Sequence, residues 1–223
     1  MKNEYFVKSY ILLCIIYIVI LFLGEEQIAW FIKPFLIPFL FFWVFFHSNF
    51  RSKKILLTAL AFSWIGDVIL LFSNRDEAYF ISGLIAFLIS HVVYIITFSK
   101  QLKIRKRKNK AVFWIGVTAI IVYLLTILAI LLPSLGDLKV PVFVYAVVIS
   151  TMLLFAFKGF LIWEEPANWY ILLGAIIFVS SDSILAFDKF YAQIMHGSFL
   201  IMVTYLLAQY LIVKGVLSLN QTK

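Results

Sequence analysis

The chain has 223 residues, 64% of them hydrophobic and 13% charged, and its mean hydropathy is +1.05. A soluble domain of this size cannot hide so much apolar surface, so a soluble enzyme is excluded. Repeated apolar runs of about 20 residues, matching the hydrocarbon thickness of a bilayer, predict an all-α polytopic membrane protein. The formal charge of +8 suggests nucleic acid only until the charges are placed. Seven of the 19 basic residues fall between Lys100 and Lys110, between two apolar runs. That is the pattern of a cytoplasmic loop, able to touch anionic headgroups, and no nucleic-acid partner is expected.

Charges, prolines and polar clusters divide the chain into eight apolar segments, at 8–24, 34–47, 54–73, 78–99, 111–132, 140–158, 168–187 and 194–214. Together they predict one eight-helix transmembrane domain over residues 1–223. The first segment ends at Leu23-Gly24-Glu25 without a small-x-small cleavage pattern and reads as an uncleaved span. Cys14 lies within it, and a single cysteine gives no disulfide framework. Pro34 opens the second segment and Pro141 the sixth, at helix starts where a missing N–H does no harm. Short connections force neighbouring helices to run up and down, and prolines are missing from the span centres.

Orientation follows from the basic residues. With the N-terminus inside, Lys2, Lys8, Arg51, Lys53, Lys54, the seven of the 100–110 loop, Lys158, Lys214 and Lys223 are cytoplasmic. Only Lys33, Arg75, Lys139 and Lys189 are outside, so both termini are expected in the cytoplasm. The expected location is a bacterial inner or plasma membrane. A weak repeat emerges when Asp67 is laid on Asp182, since Ile69, Leu70 and Phe72 then meet Ile184, Leu185 and Phe187. Four spans per half would make this a parallel 4+4 pseudo-repeat.

Two carboxylates stand inside apolar runs, Asp67 in SWIGDVILLF and Asp182 in FVSSDSILAF. A charge at a helix centre costs about 2.5–3.5 kcal/mol even on a lenient insertion scale, so such residues face a protein interior or a wet cavity. A rise of about 1.5 Å per residue puts Asp67 and Asp182 roughly 5–6 Å to the outer side of their midpoints and His91 about 3 Å to the inner side. All three share one slab near the membrane centre, and no Lys or Arg is expected at the depth of the aspartates.

Helical spacing gathers further polar residues on inward faces: Gly83, Phe87, Ser90, His91 and Tyr94; Gly174, Phe178, Ser181 and Asp182; and Ser198, Met202, Tyr205 and Gln209. Ser90, Ser181 and Tyr94 also suit plain helix-packing hydrogen bonds. Lys33 suits snorkelling at the outer interface or a lipid-phosphate contact.

In their order and spacing, Lys33-Pro34, Gly66-Asp67, FISGLIAFLISHVVY (80–94) and GAIIFVSSDSILA (174–186) resemble the YhhN / lysoplasmalogenase family of integral membrane proteins. Tyr145, Tyr205 and Gln209 fit weaker family positions. The resemblance implies an ether hydrolase acting on a lysophospholipid: cleavage of the vinyl ether bond of a lysoplasmalogen to a fatty aldehyde and a glycerophospho-alcohol. No cofactor is implied. The chemistry suits two carboxylates. Protonating the enol-ether carbon creates an oxocarbenium ion, which a carboxylate stabilises and water captures, as in glycoside hydrolysis. Asp67 and Asp182 are the expected pair, with His91 orienting one of them or shuttling protons. Lys33, Ser90, Tyr94, Tyr145, Ser181, Tyr205 and Gln209 are candidates for holding substrate. Two alternatives stand beside this reading. One is a metal-dependent lipid hydrolase using Asp67, His91, Asp182 and His196. The other is a proton-coupled lipid or small-solute transporter, which unbroken helices argue against.

Overall fold

The computed structural model describes residues 2–102 and 110–221. Lys103, Arg105, Lys106, Arg107 and Lys108 of the basic cluster, and Lys223, lie outside the described residues. Within them the chain forms α1 (Lys2–Phe22), α2 (Glu26–Ile32), α3 (Leu36–Phe45), α4 (Lys53–Leu70), α5 (Glu77–Gln101), α6 (Lys110–Leu131), α7 (Lys139–Phe160), α8 (Ala167–Phe190) and α9 (Gly197–Gln221). Short 3₁₀ turns complete it, and no strand occurs among the described residues.

Seven stretches are long and apolar enough to cross a bilayer: Glu4–Phe22, Glu26–Phe45, Glu77–Gln101, Lys110–Ser134, Gly136–Phe160, Ala167–Phe190 and Gly197–Asn220. With α4, which carries Lys53, Lys54 and Asp67, they correspond to the eight expected segments. The protein is an integral, multi-pass, all-helical membrane protein.

The second segment differs from expectation. It begins at Glu26 rather than Pro34, and Pro34 sits within it, in a 3₁₀ turn over Lys33–Phe35 that joins α2 to α3. Pro34 is the second residue of this turn, where its missing N–H does little harm, so the ladder tightens there instead of ending. This corrects the expectation of unbroken helices with no central proline. Pro141 lies in the first turn of α7, as its position suggested. The eighth segment runs on through Lys214, whose Nζ lies 4.5 Å from the Tyr170 ring centroid and 5.5 Å from that of Tyr210. The aromatic faces receive the charge, so it does not end the helix.

The chain forms two compact units, Met1–Thr97 and Phe98–Lys223. In the first, Leu36, Ile37, Leu40 and Val44 of α3 and Leu56, Ala59 and Leu60 of α4 are buried at helical spacing, and these two faces meet. Gly66 sets how closely α5 approaches α4, because a Cβ there would lie 2.7 Å from the Phe87 ring. In the second, α8 packs along α9 through Ile171, Ala175, Phe178, Ala208, Ile212 and Val216. A Cβ at Gly174 would lie 2.9 Å from the main-chain N of Ile212 and 3.1 Å from Ala208 O. Here the two backbones nearly touch, the small-residue contact that drives helix association where lipid offers no hydrophobic gain.

Candidate active site

The first unit builds a site around Asp67, near the C-terminal end of α4 and 3% exposed. Lys33 Nζ lies 3.9 Å from Asp67 Oδ1, and both side chains are largely covered. The sequence reading expected no basic side chain at this depth, so Lys33 corrects it. The 3₁₀ turn delivers Lys33 to the face of α4, and two indoles fix that turn. Trp64, one residue short of a helical turn before Asp67, donates from Nε1 to Pro34 O at 2.7 Å. Trp30 donates to Leu71 O at 3.2 Å. From α1, the buried Tyr10 and Tyr17 lie close enough to Asp67 to feel its charge.

The rest of the expected face of α5 is present. Ser90, His91 and Tyr94 are all fully buried. Ser90 donates to Ala59 O at 2.9 Å and pairs with Ser63 Oγ at 2.7 Å, so Ser63 is the donor in the pair. That commits the Ser90 hydroxyl to binding α5 onto α4.

An apolar groove of about 390 Å³ opens beside this site, lined by Ile37, Pro38, Phe41, Phe42, Leu60, Ala61 and Trp64. Its α3 residues step away from Lys33, and its α4 residues step away from Asp67. Lys33 and Asp67 do not line the groove themselves; they lie beyond its Ile37 and Trp64 end along the same two stretches of chain.

The second unit builds a site around the half-buried Asp182. Tyr145 of α7 donates its phenol to Asp182 Oδ2 at 2.6 Å. Next to it, Tyr123 of α6 pairs with Ser183, whose hydroxyl also donates to Val179 O at 2.6 Å. These residues border a cleft of about 50 Å³ between α6, α7 and α8. Of the other candidates, Ser181 donates to Ile201 O at 2.9 Å and binds α8 to α9. Gln209 donates to the Tyr205 hydroxyl at 3.3 Å within α9, and Tyr205 packs edge-on against Phe178.

Among the described residues no three His, Cys, Asp or Glu side chains come together in a group that could hold a metal ion. The set Asp67, His91, Asp182 and His196 weighed from sequence has no counterpart there. His196 is exposed and precedes α9 with a φ of 58°.

Sequence reasoning missed Tyr10, Tyr17, Ser63, Tyr123 and Ser183. Some left a signal. Tyr10, Cys14 and Tyr17 repeat at helical spacing along α1, and Ser63 precedes Asp67 by one turn. Tyr123 left none, since only packing of α6 against α8 brings it to Ser183.

An all-helical membrane protein with carboxylates held inside its helices, one by a lysine and one by a tyrosine, is the class this fold and these sites define. Residues 28–216 match the YhhN family, and the chain belongs to it. The chain is 30% identical over 210 residues to the human lysoplasmalogenase TMEM86B, covering 92% of this chain and 83% of that protein. It is 32% identical over 168 residues to the bovine lysoplasmalogenase TMEM86A, covering 72% of this chain and 64% of that protein. No solved structure matches the chain.

Proposed function

We propose that this protein is a membrane-embedded ether hydrolase that cleaves the vinyl ether bond of lysoplasmalogens, releasing a fatty aldehyde and a glycerophospho-alcohol. Membership of the YhhN family and similarity to proteins named lysoplasmalogenases support the reaction class. The observation that carries the reading is the covered Lys33–Asp67 ion pair, with an apolar groove along the neighbouring residues of α3 and α4. A single-chain ether lipid has the complementary form: an anionic phosphodiester suited to Lys33, a reactive carbon near the head, and one apolar chain to lie along α3 and α4.

The chemistry divides between the two aspartates. An ion pair is formed by an ionised carboxylate, so Asp67 takes the anionic role and stabilises the oxocarbenium ion. Asp182, held by Tyr145, delivers the proton to the enol-ether carbon. Having given it up, Asp182 is the base that accepts a proton from the attacking water, the exchange of roles seen in retaining glycosidases. His91 orients the Asp67 side of the site from α5. Tyr94, Tyr205 and Gln209 are assigned to the glycerol and ether oxygens, while Ser90 and Ser181 hold the helices that carry them.

A second reading, proton-linked transport of a lipid or small solute, draws on the turn at Lys33–Phe35, since interrupted helices mark transporter sites. The interruption is slight, because Pro34 O receives the Trp64 indole and the N–H of Leu36 reaches Lys33 O.

The test is incubation of purified protein with lysoplasmalogen, its saturated ether analogue and its ester analogue. Aldehyde from the first alone is expected. Fatty acid from the ester would redirect the reading to a lysophospholipase. Inertness toward all three, with uptake by proteoliposomes, would favour transport.

A further inference from the structure

Hydrolysis inside a lipid-surrounded helical protein needs a defined place for its water, and the cleft beside Asp182 has the size and lining for one. Its volume of about 50 Å³ cannot take an alkenyl chain. It does suit water, since holding one molecule takes roughly 10–15 Å³ of such space. The walls are apolar, with polar groups contributed by Tyr123, Tyr145, Asp182, Ser183 and Ser150.

Ser150 is the informative member. It lies at the middle of α7, is 5% exposed, and its Oγ is buried with no hydrogen-bond partner among the described residues. Buried hydroxyls are almost always satisfied, because an unmade hydrogen bond in a dry interior is unfavourable. Elsewhere in the spans Ser90, Ser180, Ser181 and Ser183 each donate to a main-chain carbonyl, and Ser150 does not. Along α7 it stands five residues beyond Tyr145, a rise of roughly 7 Å. Ser150, Tyr145 and Asp182 all line the same cleft.

We propose that this cleft holds the hydrolytic water, with Ser150 as its positioning residue. The assignment rests on the hydrolase reading above and deepens it. After the enol-ether carbon is protonated, the water oxygen bonds to the oxocarbenium carbon and one water proton passes to the Asp182 carboxylate. The resulting hemiacetal then breaks its bond to the glycerol oxygen, which takes the proton held by Asp182. The hemiacetal hydroxyl gives its proton to the same carboxylate as the aldehyde leaves and so restores the acid. One water is consumed and no oxidant or reductant is needed. Ser150 Oγ directs a water lone pair toward the carbon but touches neither substrate nor reacting carbon.

Three variants at Ser150 separate the outcomes. Ser150→Val and Ser150→Thr have the same shape and differ only in the hydroxyl, and Ser150→Ala is the fallback if Val impairs folding. Two readouts are taken on folded protein in detergent: kcat and KM for aldehyde release, and X-ray radiolytic labelling of Tyr145, which reports bound water whether or not the protein turns over. The expected result is a fall in kcat of tenfold or more for Val and Ala with KM unchanged, together with reduced labelling of Tyr145. Thr should recover most of both. Val and Ala with wild-type labelling and kcat would overturn the proposal. A rise in KM alone would overturn it too, by giving the cleft to a substrate hydroxyl. If wild-type protein releases no aldehyde, the reaction fails, and the labelling still decides whether Ser150 holds water.

Discussion

Replacing Lys33 with methionine removes the charge and keeps the stem, so it isolates the ion pair with Asp67. Two unit charges 3.9 Å apart interact by about 4 kcal/mol at an effective dielectric near 20. Removing one member of a covered pair leaves the other buried and uncompensated, at a loss of about 3–5 kcal/mol. The two partners differ in exposure, 16% for Lys33 and 4% for Asp67. Asp67 has no route to water when Lys33 is lost, whereas Lys33 can turn outward when Asp67 is lost. Lys33→Met should therefore lower stability by about 3 kcal/mol. Asp67→Asn should lower it by less, about 1–2 kcal/mol, the loss of a charged hydrogen-bonding group with a mobile partner. The double variant should resemble Asp67→Asn alone, leaving a coupling of about 3 kcal/mol, the whole of the Lys33→Met loss. Denaturant unfolding of detergent-solubilised protein, followed by tryptophan fluorescence, measures all four corners of the cycle. Losses that add to within about 0.5 kcal/mol would show the two charges to be independent and refute the reasoning.

Other outcomes follow from the same geometry. Lys33→Met should raise KM for lysoplasmalogen far more than for the 1-alkenylglycerol lacking the phosphate, and equal effects would remove Lys33 from headgroup binding. Tyr145→Phe deletes the donor to Asp182, and a charge-assisted hydrogen bond of about 1.5–3 kcal/mol translates into a loss of roughly 10- to 100-fold in kcat. Unchanged turnover would mean that Tyr145 is only structural. Gly66→Ala meets the Phe87 ring, a side chain able to shift, and should lower stability by about 1–3 kcal/mol. Gly174→Val meets the main chain of α9, which cannot yield, so its folded yield should fall further than that of Gly66→Ala in the same expression assay.

The membrane-spanning architecture was legible because the bilayer imposes it: apolar length, the penalty on charge and the need for internal hydrogen bonding all act on sequence directly. Asp67 and Asp182 stood out for the same reason. Partners were less legible. The sequence reading placed Lys33 at the interface because a lysine beside a proline at the expected start of a span ordinarily lies there. The proline instead made a turn inside the span, held to α4 by Trp64, which bonds Pro34 O, and by Trp30, which bonds Leu71 O from the helix before the turn. Nothing local encodes those contacts. Ser150 was invisible for a related reason, since an isolated serine in an apolar helix resembles any other until its neighbours show that no carbonyl takes its hydrogen.

The measurement that bears most directly on aspartate-driven cleavage is aldehyde release in D₂O by the wild type, Asp67→Asn and Asp182→Asn. Carbon protonation by a solvent-exchanging carboxyl predicts rapidly trapped wild-type aldehyde with one deuterium on the carbon next to the carbonyl, and no aldehyde from either variant when both remain folded. Aldehyde without deuterium, or wild-type turnover by Asp182→Asn, would contradict the account.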